Sequence, residues 1–167
     1  MGEGRSGEDL AAARGHSLGR AFVNVLSSRR DEQGVDMPEI QRGFPGLGWL
    51  EAFRERVNGD AEMKVVGDWF TTSLSLGFGE RRYVLRIEKG RIGEIVANPR
   101  LDVRASFGLR APLEVWRKFL SPTPPPLFHD FFAMLMRVPE FVLEGDSLVA
   151  MQNARALHRM MNLMRAP

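Results

Sequence analysis

Along this chain the spacing of apolar side chains changes character several times. Leu18, Phe22, Val25 and Leu26 recur at helical intervals, and Leu50, Phe53 and Val57 do so again before Asn58-Gly59-Asp60 closes the run. The stretch VDMPEIQRGFPGLG between them carries three glycines and two prolines and reads as a connector. Then the period drops to two. Phe70, Leu74, Leu76 and Phe78 alternate with Trp69, Thr71, Ser73 and Ser75, and Tyr83, Leu85 and Ile87 alternate with Arg86 and Glu88. Lys89-Gly90 turns the chain into IGEIVA, and Leu101, Val103, Ala105 and Phe107 alternate with Asp102, Arg104 and Ser106. A strand sends successive side chains to opposite faces, so these runs predict four antiparallel strands joined by short turns, each with one apolar face. Pro112 suits the first turn of a helix continued by Leu113, Trp116 and Leu120. EFVLEG predicts a fifth strand, and Asp146 caps a terminal helix with Leu157, Met160, Met161 and Met164 on one side.

One stretch, PPPLFHDFFAMLMR from Pro124 to Arg137, breaks the amphipathic rule. A helix facing one core needs an apolar stripe of about 100°, yet here only His129 and Asp130 are polar between the prolines and Arg137. Each large apolar side chain left in water forgoes about 1.5–3 kcal/mol, so something must cover the second side. A core, a partner chain, a membrane surface and a bound apolar ligand all satisfy that requirement. Two features favour the ligand. Met134 and Met136, with Met151, Met160, Met161 and Met164, bring flexible thioethers that fill variable spaces. The order of elements also places helices on one side of a sheet, with an apolar slot between the layers. The expected lining is Phe70, Leu74 and Trp116, then Phe128, Phe131, Phe132, Met134 and Leu135, and on the last helix Leu157, Met160, Met161 and Met164.

Composition narrows the classes. The chain has 167 residues, 44% hydrophobic and 26% charged, which suits one globular core. Its 23 basic and 21 acidic residues leave a net charge of +2, too little to steer nucleic acid, and Arg29-Arg30 and Arg81-Arg82 do not form a patch. There is no cysteine, hence no disulfide or thiolate chemistry. Three scattered histidines supply no metal motif, and no cofactor is expected. No run reaches the roughly 18–20 apolar residues of a membrane span, so the expectation is a cytoplasmic protein with at most transient membrane contact. Gly2 and Ser6 fit a loose myristoylation pattern without a supporting second signal. GFPGLG lacks the strand and the Lys-Ser or Lys-Thr of a phosphate loop and reads as a turn. Trp69 is expected to pack under the N-terminal helix, with the flank of an opening as the alternative. No catalytic set stands out: Asp130 suits the positive end of a helix dipole and His129 is expected to face water, and only should the slot hold a reactive ligand is His129 the candidate acid or base, with Asp130, Tyr83 or Asp68 as partners. Arg104, Arg110 and Arg117 are candidates for a carboxylate or head group, with solvated surface as the alternative.

From Leu47 to Arg165 the order and spacing of these elements resemble the sterol carrier protein type 2 lipid-binding domains. The likeness is carried by the helix closing on VNGD, the meander YVLRIEKGRIGEI, the helix LEVWRKFL, and the closing EFVLEGDSLVAMQNARALHRMM with its LEGD step. It implies an α+β fold: a five-stranded, mainly antiparallel sheet with helices on one side enclosing an apolar tunnel for fatty acyl chains, sterols or similar lipids. The expected organisation is a flexible tail over 1–15, a helical extension over 16–46 and the lipid-binding domain over 47–167. Three functions fit: a carrier of a hydrophobic small molecule; a cofactor-independent isomerase, cyclase or hydrolase acting on a lipid-like substrate; and an interaction module. The chain is expected to be a monomer or a homodimer joined through the N-terminal helix.

Overall fold

A computed structural model describes residues 43–165. The expected tail, the helix from Leu18 to Leu26 and nearly all of the extension lie outside the described residues. In chain order the elements are α1 (Leu47–Gly59), α2 (Ala61–Val66), β1 (Thr72–Phe78), β2 (Arg81–Glu88), β3 (Arg91–Ala97), β4 (Phe107–Ala111), α3 (Leu113–Phe119), α4 (Phe131–Arg137), β5 (Val142–Gly145), α5 (Ser147–Gln152) and α6 (Ala154–Arg165). The strands form one sheet in the order β3-β2-β1-β4-β5, and the architecture is α+β.

Three pairings are antiparallel, but β1 and β4 are parallel, with Leu74 opposite Phe107 and Leu76 opposite Leu109. The expectation of four antiparallel strands joined by short turns is therefore corrected at its last step. Strand β3 occupies an edge, so the chain must cross the sheet before it can pair beside β1. The residues that make the crossing carry the alternation that predicts the start of a strand. Leu101, Val103 and Ala105 precede β4, and Leu101 is fully exposed. Alternation misleads there because a strap lying on a sheet also turns apolar residues inward at intervals.

α1 closes at Asn58-Gly59-Asp60 as expected and a short further helix, α2, follows it, whereas the terminal helix, expected as one, divides into α5 and α6. Asp60 ends α1 and caps α2, its Oδ1 accepting the Met63 amide at 2.8 Å. Asp146 caps α5 as expected, accepting the amides of Leu148 and Val149, but Asn153 interrupts the helix, its side-chain amide donating to the Val149 carbonyl at 2.9 Å. Trp69 does not pack: it lies in the turn before β1 and is 89% exposed. Outside the strand, alternation no longer governs where it points.

One face of the sheet is dominated by apolar side chains. Leu74, Leu76 and Phe78 of β1, Tyr83, Leu85 and Ile87 of β2, and Phe107, Leu109 and Ala111 of β4 are buried in a single cluster with the helices. α1 lies on β3, and α6 packs against α1, α2, α4 and α5. Tight glycines set the near approaches. A Cβ on Gly90, which has φ +71, would sit 2.7 Å from the Cα of Gly67, so neither turn accepts a side chain without moving.

Candidate apolar interlayer site

Trp116 fixes the sheet end of the helical layer. Its indole is completely buried, donates to the Gly77 carbonyl at 2.8 Å, and meets Phe78, Phe119 and Phe141 edge-on at centroid distances of 4.8–6.2 Å. Burying an indole N–H without a partner is costly, so that bond holds α3 in register over β1. Phe70 and Leu74 lie beneath this layer, and Phe131 and Met134 of α4 with Leu157, Met160, Met161 and Met164 of α6 close over it, all fully buried or nearly so. Phe128, Phe132 and Leu135 are half-buried and pack on the same cluster. The fold thus gathers all twelve expected lining residues, nine inside and three at the rim.

The remaining methionines separate. Met136 is 80% exposed and Met151 is 42% exposed, so neither belongs to the layer. α4 explains this. It has only seven residues, so just two of them, Phe131 and Met134, are buried, and Val138 completes the contact beyond its end. The apolar excess read along Pro124–Arg137 is met partly by the core and partly by water.

The start of α4 is fastened to α6 by polar groups. Asp130 caps α4, its Oδ1 accepting the Ala133 amide at 2.9 Å, while its Oδ2 lies 2.7 Å from Nε2 of His158. Asn162, one turn further along α6, reaches Nδ1 of the same ring at 3.3 Å, and the ring stacks on Phe132 at 6.0 Å. Burial raises the Asp130 carboxyl, but the Ala133 amide and the His158 ring outweigh it and hold the group below the ordinary carboxylate range. Arg165 donates to the carbonyl of His129 and lies 5.5 Å over the Phe119 ring. These contacts make a latch across the α4–α6 seam.

The four residues named for the case of a reactive ligand are not brought together as an acid–base set. His129 contributes its backbone carbonyl and leaves its side chain exposed, while Asp130 pairs with His158. The Tyr83 hydroxyl donates to the Pro45 carbonyl at 2.6 Å inside the core, and Asp68 sits exposed in the turn before β1. Both nitrogens of His158 are engaged, so this ring clamps two helices and presents no free base. Asp130 as a cap and the His158–Asn162 spacing on α6 are visible in the sequence; that they meet is not. Among the candidate head-group arginines, Arg110 pairs with Glu144 on the opposite face of the sheet, and Arg104 and Arg117 are exposed. No group of described residues is placed to hold a metal ion, and no described helix is long and apolar enough to cross a membrane.

Two open concavities among the described residues lie outside this layer, on the polar face of the sheet. The interlayer site is closed by its own side chains.

No family model and no curated protein sequence matches the chain. Solved structures do. Sterol carrier protein 2 superposes with a TM-score of 0.58 at 19% identity, over 71% of this chain and 95% of that one. A conserved hypothetical protein from Thermus thermophilus, described as possibly a sterol carrier protein, superposes with a TM-score of 0.55 at 18% identity, over 78% of this chain and 90% of that one. With the strand order and helical layer seen here, the chain has the sterol carrier protein 2 fold.

Proposed function

We propose that this protein binds and carries a hydrophobic small molecule, of fatty acyl, sterol or terpenoid type, between the sheet and helices α3, α4 and α6. The observation that carries the reading is the set of four buried methionines, Met134 on α4 and Met160, Met161 and Met164 on α6, where two touching helices cover the apolar face of the sheet. Thioether chains change rotamer at little cost, so such a layer can part around a guest and close again without one. The half-buried rim of Phe128, Phe132 and Leu135 lies along the seam that would open. The name of the neighbour, sterol carrier protein 2, states a sterol cargo for that protein, and the shared fold supports a cargo of that kind here. Binding draws on apolar surface leaving water, at roughly 25 cal/mol per Å².

The test is uptake of a fluorescent fatty acid or sterol by the full chain. Met134→Glu and Met161→Glu place a carboxylate in the layer and are expected to abolish uptake; a folded variant that takes up probe unchanged overturns the reading. Native mass spectrometry of freshly purified protein adds an independent check, because a carrier is expected to retain a co-purified lipid.

A further inference from the structure

The polar face of the sheet carries a concavity built on different lines. After β3 the chain returns across the sheet as a strap pinned at both ends. The Asn98 amide donates to the Arg82 carbonyl at 2.9 Å, and the Ser106 amide donates to the Ser73 carbonyl at 2.8 Å. The second pin is tight: a Cβ on Gly145 would lie 2.6 Å from the Ser106 carbonyl oxygen, which also accepts the Asp146 amide at 2.9 Å. Between the pins the strap leaves a half-open groove of about 230 Å³. Val103 and Ala105 of the strap and Val84 of β2 give it apolar walls, and Val84 is buried here although it takes no part in the main core.

Its charges are unbalanced. Glu144 accepts from Arg110, and Arg82 stands 3.8 Å from the other carboxylate oxygen. Arg100, which also lines the groove, is exposed and has no ion-pair partner among the described residues. Two guanidinium groups, Arg82 and Arg100, and one carboxylate, Glu144, therefore line the groove, a local excess of one positive charge that grows where Arg110 engages Glu144 from outside the lining. A phosphate monoester carries about −1.5 to −2 at neutral pH and answers the sign of that excess and the forked geometry of arginine. The groove is smaller than the roughly 300–1,000 Å³ of a drug-sized site, which restricts the organic part to a few carbons.

We propose that this strap-covered groove is a second binding site, for a small phosphate monoester with a short apolar substituent. Arg82 and Arg100 hold the phosphate, and Val84, Val103 and Ala105 enclose the substituent. The site does not depend on the interlayer reading, since it lies on the other face of the sheet.

Titration of the full chain with butyl phosphate, followed by amide nuclear magnetic resonance, tests it. Saturable shifts are expected at Val103, Ala105, Gly108 and Gly145, weakening as salt rises. Butyltrimethylammonium, of similar size and opposite charge, is expected to leave those signals in place. Arg82→Gln/Arg100→Gln alters two exposed side chains, so its spectrum should stay that of the folded protein while affinity falls about tenfold or more. The absence of saturable shifts, an equal response to the cation, or undiminished binding by the double variant each overturns the proposal.

Discussion

The two faces of the same sheet obey different rules. On the helical face, Leu74, Leu76, Phe78, Leu85 and Leu109 disappear completely beneath the helical layer. On the other face, Ser73, Ser75, Arg82, Arg86 and Arg110 alternate with the same strands' apolar residues and meet water, the crossing strap and one another. Gly77 lets the faces coexist: a Cβ there would press within 3.1–3.4 Å of the Arg110 stem, which its absence allows to lie along the sheet. The helical face supplies stability through burial, whereas the polar face holds charges whose pairing leaves stability nearly unchanged.

This contrast is most sharply broken at Trp116. Trp116→Ala is expected to cost about 3–5 kcal/mol in chemical denaturation, because it leaves a cavity among three aromatic rings and an unpaired Gly77 carbonyl. A loss below that range would mean that the layer collapses around the vacancy, and that the helical face is more plastic than its burial suggests.

Asp60 should fall between the extremes. It caps α2 and takes two hydrogen bonds from Arg159 on α6, at 3.1 and 2.6 Å, so Asp60→Ala is expected to cost about 1–3 kcal/mol. Its acidity gives a second readout. The Arg159 hydrogen bonds outweigh burial and hold the Asp60 carboxyl below its ordinary value, and Arg159 is raised in turn. A carboxyl depressed in the folded state contributes stability that is full above its unfolded pKa and lost as pH falls through the folded one. The acid side of the stability profile should therefore be shallower in Asp60→Asn than in the parent. An unchanged slope would show that the pair contributes only geometry.

The smallest effect belongs to the polar face. Arg86 and Glu94 face each other at 3.5 Å with side chains 55% and 65% exposed, so Arg86→Ala is expected to shift stability by no more than about 0.5 kcal/mol. A shift as large as that of Asp60→Ala would erase the distinction between the faces.

Most of the secondary structure is legible in residue order. Period-two alternation marks β1 and β2, Asp146 marks a cap, and Pro112 marks the start of α3, because those signals are local. The strap resists the same reading. Leu101, Val103 and Ala105 alternate as a strand does, and only the position of β3 at an edge, with β4 on the far side of β1, makes them a crossing. The latch is illegible for a similar reason: Asp130 and His158 are 28 residues apart, and each has an ordinary local role, as a cap and as a helix-surface residue.

Within β1, β2 and most of the helices the sequence by itself determined which side chains would leave water and at what period, since amphipathic spacing is a property of the chain read a few residues at a time. It also gathered the methionines and phenylalanines into the helices that cover the sheet. The tertiary structure decided where those helices stop, that β4 joins β1 in parallel, that His158 and not His129 holds Asp130, and that a strap closes an arginine-lined groove on the far face. Each of those outcomes depends on distant segments competing for the same surface, and a local pattern holds no information about who wins.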